Sequence, residues 1–315
     1  MCRLAAAVLL VITAGAAHAY PDKPIRIIVP FSAGTITDVF ARDFAAVLSP
    51  VVKQPVVVEN RTGAEGIIGV QALLASEPDG HTILFSSGSL AILDPLLKKD
   101  LPYDPTKDMT PVCSVGSVEQ IMYMTASLPY KNVAEFVAAA KAEPGKFTYA
   151  YSSAFGRLNS ELFQEATGTK LTGVPYRSTA TGLTDVATGR VDLYFVDHGS
   201  AAAYSQAGKV RPMVVAGAKQ IKSVPNVPTA VAAGIPSFDS TPTYSVYVPS
   251  KTPKGTSDRL RDLVAEALKS PAMAAVLEKR ELGEFSLCGD AVVKYHQDER
   301  ERLRKVITKA GIEPQ

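Results

Sequence analysis

Short β-branched runs alternate along the chain with segments of helical spacing. The first run, Ile25 to Val29, has no polar face and is typical of a strand buried on both sides. A helical pattern follows it, with Thr37 or Asp38 as the predicted N-cap. Similar units recur to about residue 250, and helical patterns cover 257–269, 271–280 and 291–310. The alternation predicts an α/β protein with largely parallel sheets.

Small polar residues fill the loops after at least four predicted strands. These loops lie at 32–37, 86–89, 152–156 and 177–181. Ligands of open α/β sheets bind beyond the carboxyl ends of the strands, where helix N-termini attract anions. If the loops face one another, they form a cleft of neutral hydrogen-bond donors. The alternative is a set of ordinary strand-to-helix turns without a ligand.

Local signals predict three further features. Asn132 with Glu135 resembles a capping box for a helix through Ala142. A helix is also expected near Asn159 to Thr167. Prolines punctuate residues 94–108, which we therefore expect to be irregular.

The first 19 residues have the layout of a secretory signal peptide. Arg3 is their only charge, an apolar core runs over 4–16, and Ala17-His18-Ala19 is a small-x-small cleavage pattern. That core is too short to span a membrane. We therefore expect export to the periplasm, with cleavage after Ala19.

Composition and motifs exclude several functions. The formal net charge of +2 leaves no basic field for nucleic acid. None of the four histidines has metal-ligand spacing, and no nucleophile elbow or phosphate loop occurs, so no catalytic residue, metal or cofactor is predicted. A secreted hydrolase or lyase with a cleft serine or aspartate is the less favoured alternative.

Cys113 and Cys288 are either bridged or two unpaired core residues.

The order of short motifs resembles the substrate-binding proteins of tripartite tricarboxylate transporters, the TctC or Bug family. The resemblance covers essentially all of the chain after residue 19. The matching segments are 20–26, 28–31, 55–61, 78–82, 101–105, 174–177, 183–185, 189–193, 207–209 and 224–229, which include Val29-Pro30-Phe31, Leu101-Pro102-Tyr103-Asp104-Pro105 and Val224-Pro225-Asn226-Val227-Pro228-Thr229.

The resemblance implies a type II periplasmic-binding-protein fold, with two α/β domains around a ligand cleft. Residues 20–121 plus about 230–315 would form domain 1, and 122–229 domain 2. Such a protein, expected to be a monomer, captures a small organic carboxylate and delivers it to the permease subunits of a tripartite tricarboxylate-type transporter. A receptor that reports to a membrane sensor is the alternative.

The same resemblance places the ligand on the loop after the first strand, partly through ordered water. The candidate residues of that loop are Phe31, Ser32, Ala33, Gly34, Thr35, Thr37 and Asp38. The facing candidates are Ser87, Gly88, Ser152, Ser153, Arg157, Arg177, Ser178 and Asp197. Arg157 lies close to a position that is commonly His in the family. It is either a surface arginine or a two-bond fork for a second ligand carboxylate, which would favour dicarboxylates.

Overall fold

A computed structural model describes residues 20–217, 219–238, 241–309 and 314. Residues 1–19, with the predicted signal peptide and its cleavage site, lie outside the described residues. The described strands form two five-stranded sheets. They are β1 (Ile25–Val29), β2 (Val56–Asn60), β3 (Thr82–Ser87), β4 (Met109–Ser117), β5 (Ile121–Thr125), β6 (Thr148–Tyr151), β7 (Thr172–Pro175), β8 (Leu193–Val196), β9 (Val210–Val215) and β10 (Thr243–Pro249).

Ten α-helices occur in the described parts of the chain. They are α1 (Ile36–Val52), α2 (Ile67–Leu74), α3 (Asp94–Leu97), α4 (Val133–Ala142), α5 (Ala154–Thr167), α6 (Thr179–Ala187), α7 (His198–Gln206), α8 (Lys254–Leu268), α9 (Pro271–Arg280) and α10 (Asp290–Lys309). A 3₁₀ turn (Ala64–Gly66) precedes α2, and a π-helical turn (Ser89–Leu93) precedes α3. Within the described ranges, none of these helices combines the length and apolarity that a membrane crossing requires.

The two sheets share one plan. The first has the order β2-β1-β3-β10-β4, and the second has the order β7-β6-β8-β5-β9. In each, one strand runs against its neighbours: β10 is antiparallel to β3 and β4, and β5 is antiparallel to β8 and β9. The expectation of largely parallel α/β sheets is therefore confirmed.

The chain passes between the sheets twice. It crosses after β4 through residues 118–120, and it returns between β9 and β10 through 216–242. The reversed strand of each sheet is the first one formed after a crossing. The division into domains at residues 121 and about 230 stays a prediction.

The strand β1 lies between β2 and β3 in the first sheet. Ile27 and Val29 pack in a cluster with Phe40 of α1, whereas Ile28 packs in a second cluster with Val70 of α2. Side chains alternate across a strand, so both faces of β1 are covered. The expectation of a strand covered on both faces is confirmed, although Arg26, on the face of Ile28, is partly exposed and pairs with Glu59.

Helix beginnings differ from the sequence expectations in three places. The N-cap of α1 is Thr35, so the prediction of Thr37 or Asp38 was wrong. The helix α5 begins at Ala154 rather than near Asn159, because Ser153 caps it. Residues 94–97 are helical despite Pro95, since proline is tolerated in the first turn of a helix. The N-cap half of the predicted capping box of α4 is confirmed, as Asn132 accepts from the Glu135 N–H, whereas Glu135 Oε2 accepts from the Lys131 N–H instead of the Asn132 N–H.

A disulfide joins Cys113 and Cys288, the pair whose state the sequence left open. Cys113 lies in β4, and Cys288 lies just before α10. The bridge therefore ties the C-terminal helix to the first sheet.

Candidate ligand cleft

A cavity lies where the loops of the two sheets meet. Its empty volume is about 620 Å³, part of which is open solvent. The first sheet and the linkers contribute Phe31, Thr35, Ile36, Thr37, Ser87, Gln120, Pro242 and Tyr244. The second sheet and its helices contribute Ser152, Ser153, Phe155, Gly156, Thr179, Tyr194, Phe195, Val196, Asp197 and Ser200. Of these described lining residues, only Asp197 is ordinarily charged.

The N-termini of four helices meet at this cavity. A side chain caps each of them: Thr35 caps α1, Ser153 caps α5, Ser178 caps α6 and Asp197 caps α7. The caps satisfy only one N–H of each helix, and the other N–H groups of the first turn have no intrahelical acceptor. Four partial positive charges therefore converge on one space, which favours an anion.

The loop after β1 is held by a buried carboxylate. Asp38 accepts from the Gly34 N–H at 2.9 Å and from Asn60 Nδ2 at 2.9 Å, and Arg42 lies 2.9 Å from it. The same Asn60 Nδ2 donates to the Phe31 carbonyl at 2.9 Å. Gly34 has a φ of +82°, a left-handed conformation that favours glycine.

These contacts also decide the charge of Asp38. Burial raises its pKa, but the hydrogen bonds from Arg42, Gly34 and Asn60 outweigh burial and hold the pKa below its usual value. The side chain is 3% exposed. Asp38 therefore positions the loop as a fixed anion and does not present a free carboxylate to the cavity.

The opposite wall is built from hydroxyl groups. Tyr194 Oη donates to Ser152 Oγ at 2.6 Å, and Ser152 Oγ lies 3.2 Å from Thr179 Oγ1. From the first sheet, Tyr244 and Thr37 line the same cavity. Burial raises the pKa of Tyr194 to about 12 and that of Tyr244 further still, so both phenols remain neutral.

Asp197 lies at the start of α7. Its Oδ1 accepts from the Ser200 N–H at 2.8 Å, and its Oδ2 accepts from Ser200 Oγ at 2.7 Å. The residue is 6% exposed, and burial raises the pKa of its carboxyl. Its charge adds to the effect of burial in raising the pKa of the Tyr123, Tyr194 and Tyr244 phenols.

The structure brings about half of the candidate site residues together. The main cavity is lined by Phe31, Thr35, Thr37, Ser87, Ser152, Ser153 and Asp197. Ser32, Arg177 and Ser178 line a second cavity, which shares Phe31 and Ser152 with the first. Gly34 lies in a third, beside His198. Ala33, Asp38, Gly88 and Arg157 are not among the described residues that line any of these three cavities.

Arg157 lies in the first turn of α5 and is half-buried. Its charge lowers the pKa of the Tyr149 phenol, against the larger opposing effect of burial. Tyr149 in turn donates to Glu161 at 2.8 Å. Arg157 therefore lies near Tyr149 of β6, which is hydrogen-bonded to Glu161 of α5.

Several lining residues are absent from the individual site candidates drawn from the sequence. They are Ile36, Gln120, Phe155, Gly156, Thr179, Tyr194, Phe195, Val196, Ser200, Pro242 and Tyr244. Four of them, Ile36, Phe155, Gly156 and Thr179, lie inside the loops 32–37, 152–156 and 177–181, which the sequence analysis already predicts as walls of a cleft. Tyr194 and Tyr244 carry no local signal, since each is one of many aromatic residues in a strand.

Comparison with known proteins decides the family. The model of the tripartite tricarboxylate transporter family receptor matches residues 40–312. The chain belongs to this family. Its members in the comparison are periplasmic binding proteins rather than enzymes, which removes the hydrolase or lyase alternative. Membership implies export to the periplasm.

Solved structures show the same fold. An R. palustris protein with adipate is 30% identical, with a TM-score of 0.88 over 94% of this chain and 100% of the other. The periplasmic binding protein BugD is 27% identical, with a TM-score of 0.84 over 94% and 100%. MatC from Rhodopseudomonas palustris with malate is 26% identical, with a TM-score of 0.81 over 91% and 100%. The expected type II periplasmic-binding-protein fold, two α/β domains around a cleft, is confirmed.

Proposed function

We propose that this receptor captures a small organic carboxylate in the cleft and delivers it to the permease subunits of a tripartite tricarboxylate-type transporter. The observation that carries the proposal is the meeting of four helix N-termini at one cavity. Neutral N–H and O–H donors surround that cavity, and its described lining includes no lysine or arginine. A hydrogen bond to a charged group contributes about 1.5–3 kcal/mol, so several such donors can hold a carboxylate without a basic side chain.

Two comparisons support the choice of ligand class. The R. palustris relative was solved with adipate, and MatC was solved with malate. The proposal of permease partners rests on the family description, a receptor of tripartite transporters.

We further propose that the mature protein begins at Tyr20 and acts as a monomer. Domain 1 then comprises residues 20–121 plus about 230–315, and domain 2 comprises 122–229.

A panel of acids tests carboxylate capture. Thermal unfolding of residues 20–315 is measured with mono-, di- and tricarboxylates, each beside its primary amide. At 100 times its dissociation constant, a bound acid stabilises the protein by about 2.7 kcal/mol, and the neutral amide should stabilise it much less. The proposal is wrong if no acid stabilises the protein, or if each amide binds as tightly as its acid.

Delivery is tested in cells. Uptake of the best acid should fall in a strain that lacks the receptor gene, and the gene supplied in trans should restore it. Uptake that is unchanged by the deletion would contradict delivery while leaving capture intact.

A further inference from the structure

One feature of the cleft conflicts with a site made only for anions. Asp197 places a carboxyl group on the wall of a cavity formed by positive helix ends. Asp197 is the one ordinarily charged residue among the described residues that line the main cavity, whereas on its other side it lines the third cavity with His198, Lys279 and Arg280. The next residue, His198, has its Nδ1 bonded to Tyr123 Oη at 2.6 Å. A buried carboxyl group whose hydrogen bonding is incomplete on the cavity side is costly, so a ligand that supplies a donor there would be favoured.

The carboxyl group has capacity left for such a donor. Each carboxylate oxygen has two lone-pair sites, and Ser200 occupies one on each oxygen. Burial raises the pKa of Asp197, as expected for a carboxyl whose partners do not fully replace water. A hydroxyl or ammonium group in the cavity would complete its hydrogen bonding.

The other lining residues of the cleft indicate how polar the rest of the ligand is. Apolar side chains make up about a third of the lining: Phe31, Ile36, Phe155, Phe195, Val196 and Pro242. A second carboxylate placed beside Asp197 would meet its like charge, and one placed on the six apolar side chains would lose its hydration without gaining a donor. The carboxylate of the ligand is expected at the helix N-termini, and Asp197 caps one of these helices, α7. A ligand group that donates to Asp197 must therefore lie close to the ligand's own carboxylate.

We propose, on the basis of the proposed function, that the preferred ligand is a monocarboxylate with an apolar body and a hydroxyl or ammonium group at carbon 2 that donates to Asp197. The specificity-determining residue is then Asp197, and the ligand class is that of 2-hydroxy or 2-amino monocarboxylic acids. The shared chemistry is one hydrogen-bond donor beside one carboxylate.

Three matched series of acids test the proposal by calorimetry on residues 20–315. They are propionate, lactate and alanine; 4-methylpentanoate, 2-hydroxy-4-methylpentanoate and leucine; and 3-phenylpropionate, 3-phenyllactate and phenylalanine. In at least one series, a donor-bearing acid should bind more than tenfold tighter than the unsubstituted acid, and tighter than adipate or malate. The hydroxy and amino members distinguish the two donors.

The variant Asp197→Asn separates recognition from helix capping. Asparagine is as good an N-cap as aspartate, and its oxygen can still accept from the Ser200 N–H. The tenfold ratio should fall to less than threefold in this variant. Asp262→Asn, on an exposed part of α8, should leave the ratio unchanged.

Several results would overturn the proposal. One is equal binding of unsubstituted and donor-bearing acids by the unaltered protein, which does not depend on the folding of any variant. Others are a ratio that survives Asp197→Asn, and binding of adipate or malate without any of the donor-bearing monocarboxylates. If no carboxylate of any kind binds, the proposed function fails instead.

Discussion

At the scale of single residues, Asp38 shows how one carboxylate can organise a loop without touching the cavity. Its two oxygens receive the Gly34 N–H, the Asn60 amide and the Arg42 guanidinium. All three partners are donors, so an asparagine in its place would point an NH₂ group at one of them. The loop from Phe31 to Thr37 should therefore lose both stability and its fixed shape in Asp38→Asn.

We expect Asp38→Asn to lower the free energy of unfolding at pH 7 by roughly 1–3 kcal/mol. The folded-state pKa of Asp38 lies below its unfolded value, so its contribution is complete above pH 4 and is lost as pH falls through the folded pKa. Urea unfolding at pH 7 and at steps down to pH 3 should show the difference from the unaltered protein shrinking in acid. Asp262→Asn is the surface control; a cost for Asp38→Asn no larger than for this control would contradict the prediction.

The sequence predicts site residues that are positioned by neighbours in the chain. It does not predict site residues that are positioned by contacts between distant parts of the chain. Thr35, Ser153, Ser178 and Asp197 come soon after predicted strands, so the sequence selects them as site candidates even though it places the starts of α1 and α5 too late. Tyr244 reaches the cleft because β10 pairs with β3, opposite Ser87, more than 150 residues away along the chain. Long-range register of this kind has no local sequence signature.

At the scale of elements, the same distinction holds. The apolar run of β1 predicts a doubly buried strand, because no other position suits a strand without a polar face. The start of α5 was predicted five residues too late because Ser153 was assigned to the loop and not to the cap. The disulfide was left open because Cys113 and Cys288 are 175 residues apart, and only the packing of the tail against β4 brings them together.

The disulfide should contribute strongly to stability because it closes so long a loop. We expect the double variant Cys113→Ala with Cys288→Ala to lose roughly 2–5 kcal/mol of unfolding free energy, measured in urea. Neither cysteine is among the described lining residues of the cleft, so ligand affinity should change less than twofold. Added reductant should destabilise the unaltered protein and leave the variant unaffected. A variant as stable as the parent would show that the bridge is dispensable.

At the scale of the whole molecule, the cleft depends on how the two sheets are held together. Ile221 and Val227 pack against the second sheet, whereas α9 packs on α1 beside the first. Between these two regions, the Ser223 N–H donates to Glu281 Oε1 at 2.6 Å, and Ser223 Oγ donates to Glu281 Oε2. Glu281 is the residue that ends α9, with a φ of 55°. This contact links the two halves outside the main cavity.

We expect Glu281→Gln to favour the open arrangement of a hinged receptor, because glutamine has one acceptor oxygen and no charge for the two Ser223 donors. The contact is partly exposed, so its loss should weaken binding of the best carboxylate only by roughly threefold to tenfold, up to about 1.4 kcal/mol. Small-angle scattering should show a larger radius of gyration without ligand and the parental radius at saturation. Glu278→Gln serves as the control, since its pairing with Lys222 at 3.6 Å is highly exposed. If Glu281→Gln leaves both the radius of gyration and the ligand affinity at the parental values, the Ser223–Glu281 contact does not govern closure. The energy that holds the two halves together must then come from the packing of the two connecting segments.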